Sequence, residues 1–287
     1  MNIVEKRKIF IGISLSIIIL GIIMFIINGF NYGIEFTGGT LIQVNSDEFI
    51  EAEKIRPITD EFDENISIVH GGEDKKELIL RSTLDLSNAD VNKMADDFEK
   101  EFGIKKSNFK SEKVGPSMGK EIKNKAVISI TIATIAMLIY ITFRFEFTFG
   151  LAAIIALIHD VLITLSMYAI FKLPVNNAFI AAILTIVGYS INDTIVIFDR
   201  IREEIRLNPR EELDNIINSG ISHTLRRTIN TTITTVIAVS VLYIVGVEDI
   251  KVLALPLIFG LLAGTYSSTF IASPLWYIFK NFRSKTA

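Results

Sequence analysis

Two aspartates lie inside apolar runs long enough to cross a membrane: Asp160, preceded by His159, and Asp193, preceded by Asn192. A charge at the centre of a membrane span costs about 3 kcal/mol on insertion scales. Such residues face a bundle interior or a water-filled path, and most have a task there. A buried carboxyl resists ionisation, and a neighbouring arginine favours it. A carboxylate that alternates between those surroundings loads and releases a proton. The membrane potential supplies about 2.3 kcal/mol per charge per 100 mV, and a pH gradient adds about 1.4 kcal/mol per unit. Arg227 opens the next apolar run. The proton-transfer candidates read from the residues are Asp193, Asp160, His159 and Asn192. Bland readings stand beside this one. Asp193 could merely stabilise packing through a salt bridge to an arginine, His159 could be a satisfied core or interface histidine, and the Thr231–Thr235 run could bond its own backbone.

At helical spacing Thr185, Tyr189, Asn192 or Asp193, Val196 and Arg200 form one polar face, and Arg227, Thr231, Thr234 and Thr235 line another. Gly260, Gly264 and Ser268 are spaced four apart, as in close helix packing. With Gly188 they are read as structural.

These residues need a membrane bundle to hold them. Half of the 287 residues are hydrophobic and the mean hydropathy is +0.45, too apolar for an ordinary soluble domain. Six spans are expected: Ile9–Ile27, Ala126–Phe143, Phe147–Phe171, Val175–Phe198, Thr228–Val245 and Val252–Phe279, the last tilted or bent at Pro256 or Pro274. The first reads as an uncleaved anchor, because Asn28-Gly29-Phe30-Asn31 is not a small-residue cleavage site. A loop is expected at about 199–227.

Charge sets the orientation. One side carries Lys6, Arg7, Lys8, Arg144, Arg200, Arg202, Arg206, Arg210, Arg226, Arg227, Lys280, Arg283 and Lys285, and the other side's short loops carry Lys172 and Lys251. Both termini are therefore expected in the cytoplasm and residues 28–125 outside it.

That outer segment is acidic, with 20 Asp and Glu against 12 Lys and Arg between Asn28 and Glu121. Its pattern predicts strand Thr40–Val44, helix Asp47–Phe62, strand Asn65–Val69, a turn at His70-Gly71-Gly72-Glu73-Asp74, strand Glu77–Ser82, helix Asn88–Phe102 and strand Asn108–Val114. The order β-α-β-β-α-β is the ferredoxin-like α+β arrangement, which implies no function by itself. Gly38-Gly39 lacks the context of a phosphate loop and reads as a tight turn. The acidity argues against nucleic acid. Cysteine is absent, so thiolate metal sites are excluded, and no cofactor motif is present.

The stretch from Gly188 to Glu203, GYSINDTIVIFDRIRE, resembles the signature of the SecD/SecF family of protein-export subunits. Gly33–Gly39, Val114-Gly115-Pro116, His159-Asp160-Val161 and Arg227-Thr228 resemble it too, with Glu35 where the family commonly has aspartate. The resemblance implies half of a resistance-nodulation-division-type bundle, paired with SecD. It implies use of the proton-motive force to move unfolded preprotein through SecYEG, with the functional aspartate and arginine falling on Asp193 and Arg227. Three alternatives remain at this stage: a passive assembly subunit, half of a small-molecule or lipid exporter, and an intramembrane aspartyl protease using Asp160 and Asp193.

Overall fold

The computed structural model describes residues 2–72 and 74–286. Among the described residues, six helices are long and apolar enough to cross a membrane. They are α1 (Arg7–Asn28), α5 (Pro116–Arg144), α6 (Phe147–Phe171), α7 (Asn177–Leu207), α8 (Leu213–Val245), and a last span built from α9 (Glu248–Ser267), a π turn (Ser268–Ala272) and α10 (Ser273–Thr286). Between α1 and α5 lies a small α+β domain.

The domain's elements are β2 (Gly39–Asn45), α3 (Ala52–Thr59), β3 (Ser67–Gly71), β4 (Glu77–Ser82), α4 (Asn88–Phe102) and β5 (Phe109–Val114). The four strands are antiparallel in the order β3-β4-β2-β5, the ferredoxin-like arrangement. Ile42, Val44, Leu78 and Leu80 face α3 and α4, where Ile55, Met94 and Phe98 complete a core. Helix α4 has the bounds its pattern predicts. The Ser87 hydroxyl accepts from Asp90 N–H, the Asp90 carboxylate accepts from Ser87 N–H, and Gly103 stops the helix with a left-handed φ of 69°.

The other predicted helix, Asp47–Phe62, is much shorter. Ser46 accepts from the Glu48 N–H in a local turn, and the Ile50 carbonyl is taken by His70 Nε2 at 2.6 Å. Backbone groups committed to those partners cannot start a helix, so α3 begins at Ala52. His70 is thus a strand residue with a backbone partner, its ring tilted against that of Phe49, rather than a turn residue. Glu73 of the expected turn lies outside the described residues. Gly38 and Gly39 do form a turn. Gly39 has φ 146°, and a Cβ there would meet the Ser82 carbonyl at 2.1 Å.

Two small elements tie the domain to the bundle. Strand β1 (Asn31–Tyr32) pairs in parallel with β6 (Pro174–Val175) in the α6–α7 connection, and Gly33 N–H donates to the Val175 carbonyl at 2.8 Å. The short α2 (Ile34–Thr37) packs on the start of α5, where Gly119 lets the Phe36 backbone approach.

The spans differ from expectation at their ends. Helix α5 starts at Pro116 instead of Ala126, because proline suits the first helical position and the polar turns need no bilayer. The loop expected at 199–227 is largely helical: α7 runs to Leu207 and α8 starts at Leu213. At 31 residues α7 is about 46 Å long, well beyond a 30 Å hydrocarbon core. Its overhang pairs with that of α8 through buried Ile201, Ile217 and Ile221, and Gly220 admits Ile201. At this end Asn218 Oδ1 accepts from the Ile3 and Val4 N–H groups, and Trp276 stacks on Phe149 with centroids 4.2 Å apart. The last span shows its irregularity at the π turn. Pro274 follows, cannot donate to the ladder, and the Ser273 hydroxyl bonds the Ser268 carbonyl.

Candidate coupling site within the membrane

Asp193 lies in the middle of α7 and is 3% exposed. Its Oδ2 is buried with no hydrogen-bond partner, and so is the Thr228 hydroxyl on α8. Arg227, the residue before Thr228, acts electrostatically on Asp193, yet no ion pair within 4.0 Å joins them among the described residues. Arg227 itself is exposed, at the end of the bundle where α8 enters the apolar region. The two members of the expected pair are thus close enough to interact electrostatically and are not in direct contact.

Around it the surface of α7 and α8 is open. Thr185, Gly188 and Asn192 are exposed on α7, and Asn230, Thr231 and Thr234 on α8. Gly188 meets no other element of this chain, because a Cβ there would find nothing within 4 Å. Asn192 points out while Asp193 points in, since adjacent helical residues are 100° apart. Tyr189 meets Thr235 at 3.1 Å and links the two helices. Thr231, Thr234 and Thr235 mostly bond their own helix: the hydroxyls of Thr234 and Thr235 reach the Thr231 carbonyl, and that of Thr231 reaches Arg227 O.

The opposite side of α7 is closed. Gly260 of α9 lies against Ile186, with 2.2 Å from its Cβ position to Cδ1, and Gly264 lies against Ser190, with 2.9 Å to Cβ. Ser268 continues the stripe with its hydroxyl 3.0 Å from that of Thr194. Any side chain larger than hydrogen at the two glycines would separate α9 from α7.

Asp160 is fully buried one layer away on α6. Its Oδ2 accepts from Ser190 of α7 at 2.5 Å and from Ser267 of α9 at 2.9 Å. Its Oδ1 is 3.0 Å from His159 Nδ1, and His159 Nε2 is 2.8 Å from the Ser14 hydroxyl of α1. One carboxylate and its histidine thus join four helices. Asp160 and Asp193 share no hydrogen bond, and each has its own surroundings. Ser14 and Ser267 are not among the residues that the sequence singles out, whereas Thr228 belongs to the Arg227-Thr228 motif. A lone serine in an apolar run carries no periodic signal, and its importance comes from what faces it.

Comparison with known proteins supplies the lineage. The family description "Protein export membrane protein SecD/SecF, C-terminal" matches residues 93–282, and the SecD/SecF GG motif matches residues 23–48. The chain belongs to the SecD/SecF family. A relative from Calditerrivibrio nitroreducens named protein translocase subunit SecF is 38% identical, over 98% of this chain and 94% of its own length. One of the same name from Helicobacter pylori is 37% identical, over 90% and 80%. Among solved structures, SecDF from Thermus thermophilus, described as a translocon-associated membrane protein, superposes with a TM-score of 0.83 at 34% identity. SecDF in a super-membrane-facing form gives 0.76 at 32%. The match covers 98% and 100% of this chain but 39% of each SecDF chain, so this SecD/SecF member spans about two fifths of those molecules.

Proposed function

We propose that this chain is the SecF half of a proton-driven protein-export motor. Its partner is SecD, and together they promote movement of unfolded preprotein through the SecYEG translocon, with both termini in the cytoplasm and residues 28–125 on the outer face. The observation that carries this reading is Asp193: a nearly buried carboxyl in mid-membrane with an unpartnered oxygen, under the field of Arg227 on the next helix. A group left without a partner at that depth is costly unless its surroundings change during a cycle. Proton binding at Asp193 changes the balance with Arg227 and hence the relation of α7 to α8. The open polar face of α7 and α8 supports a second half-bundle as its cover, since parallel repeats with sites at their interface are a recurrent transporter plan. The β1–β6 ladder connects the α6–α7 turn with the outer domain, which gives helix movement a route outward. The cation is taken to be the proton; sodium, for which carboxylate and hydroxyl oxygens are also ligands, is the competing choice.

The test is Asp193→Asn, reconstituted with SecD in vesicles. The expected result is an assembled complex whose proton flux and preprotein movement both fall to background. Flux and translocation at the wild-type level would refute the motor reading, and loss of assembly alone would favour a scaffold. Replacing sodium with potassium at a fixed pH gradient separates the two cations.

A further inference from the structure

The proposed cycle leaves Asp160 without a task, although three side chains hydrogen-bond to it. Its contact on α7 is specific. Ser190, which donates to Asp160 Oδ2, lies three residues before Asp193. Residues at i and i+3 share a helix face, so a bond at Ser190 fixes the rotation of α7 about its own axis at the turn that carries Asp193. Two further contacts hold the same strip: Gly264 against Ser190 and Ser268 against Thr194. Rotation is the coordinate that matters, because Asn192 on one side of Asp193 is already exposed on the open face. A modest turn of α7 would move Asp193 between the interior and that face.

We propose that Asp160 is a positioning residue for Asp193: through Ser190 it sets the rotational position of α7 and so the surroundings in which Asp193 takes up and gives up its cation. This rests on the reading of Asp193 given above. The frame for that position is α6, which carries Asp160, while the second hydrogen bond to the same oxygen, from Ser267, ties α9 to Asp160 separately. His159 completes that frame by bonding Ser14 of α1. The serine hydroxyl donates to a bare Nε2 and accepts from an Nε2–H, so the frame stays satisfied in either state of the imidazole. The ionisable groups around this strip are His159 and Asp160 on α6, Arg227 on α8 and, beside the His159 ring, Tyr266 on α9, whose hydroxyl donates to the Phe10 carbonyl.

The test compares Asp160→Asn, Ser190→Ala and Ser267→Ala in the reconstituted complex, reading the ratio of cation-coupled flux at pH 6 to that at pH 8. Asp160→Asn and Ser190→Ala are expected to change the ratio about threefold or more, equivalent to half a pH unit. Ser267→Ala, which removes a bond on a helix that does not carry Asp193, is expected to lower thermal stability and leave the ratio at the wild-type value. An unchanged ratio in both Asp160→Asn and Ser190→Ala, or an equal change in all three variants, would overturn the proposal and leave Asp160 as a packing peg. A second measurement does not depend on flux. The chain has no cysteine, so the maleimide reaction rate of Asn192→Cys reports the rotation of α7. Ser190→Ala is expected to change that rate about threefold or more, and an unaltered rate counts against positioning. Asp193→Asn run alongside separates the failures: if it retains flux, the motor reading itself falls.

Discussion

Asp160 and Asp193 are both carboxylates within the membrane, and the bundle holds them in opposite ways. Asp160 has side-chain partners on two neighbouring helices as well as its own His159, whereas Asp193 has an oxygen with none. A satisfied buried group fixes structure, and an unsatisfied one is where a state change gains most. The glycines divide in the same manner. Gly264 sits where a side chain would strike Ser190, and Gly188 sits in open space. Gly264→Leu is expected to destabilise the chain by about 1–3 kcal/mol or more through overpacking, read as a lowered Tm in detergent. Gly188→Ala is expected to leave the Tm of the isolated chain unreduced, since nothing opposes the methyl and alanine favours helix. A fall in Tm for Gly188→Ala would show that the open face is closed within this chain.

Among the elements, α4 is the one whose ends are written most fully in local sequence. Its Ser87–Asp90 reciprocal cap explains both its start and a pH dependence. The hydrogen bonds from the Ser87 hydroxyl and N–H hold the Asp90 carboxyl below its ordinary value of 3.8. A lowered folded value means that this contribution is fully present above pH 3.8 and is lost as pH falls through the folded value. Amide exchange in the first turn of α4 is therefore expected to quicken below about pH 4 relative to the rest of α4, and Ser87→Ala is expected to quicken it several-fold at neutral pH as well. Helix α3 shows the reverse. Its pattern extends over Asp47–Phe62, but the Ile50 carbonyl is claimed by a histidine twenty residues away. The β1–β6 ladder is equally non-local. The pair Tyr32→Cys and Val175→Cys, at directly opposed positions, is expected to form a disulfide under mild oxidation. Failure to cross-link would mean that the outer domain is not latched to the α6–α7 turn.

At the scale of the whole molecule, the chain is a bundle with one side finished and one side open. Helix α9 closes the inner side of α7, while the outer strip from Thr185 to Asn192 and the facing residues of α8 remain exposed to whatever lies alongside. Thr234→Trp is expected to weaken association with SecD at least tenfold, in co-purification or a fluorescence titration, without lowering the Tm of the isolated chain. Equal association would place the partner elsewhere. Orientation is testable by single cysteines on exposed sites: Ser107→Cys is expected to react with an impermeant maleimide added outside intact cells, and Asn208→Cys to react once the membrane is opened.

Local sequence suffices to read the membrane class, the six spans, the βαββαβ order of the outer domain and the residues where charge falls within the apolar runs. Each is a matter of local composition or period: about twenty apolar residues, a repeat of 3.6 or 2, or one ionisable group where hydration is lost. Tertiary structure decided the rest. It separated Asp160, as a satisfied junction of four helices, from Asp193, as an unpartnered group beside an open face. It kept Arg227 near Asp193 but out of direct contact, left Gly188 unpacked, and assigned Ser14, Ser190 and Ser267 their partners. A side chain's periodicity tells which face of a helix it occupies. What that face meets depends on how helices far apart in the chain come together, and for a buried polar group the partner, more than the residue type, sets the role.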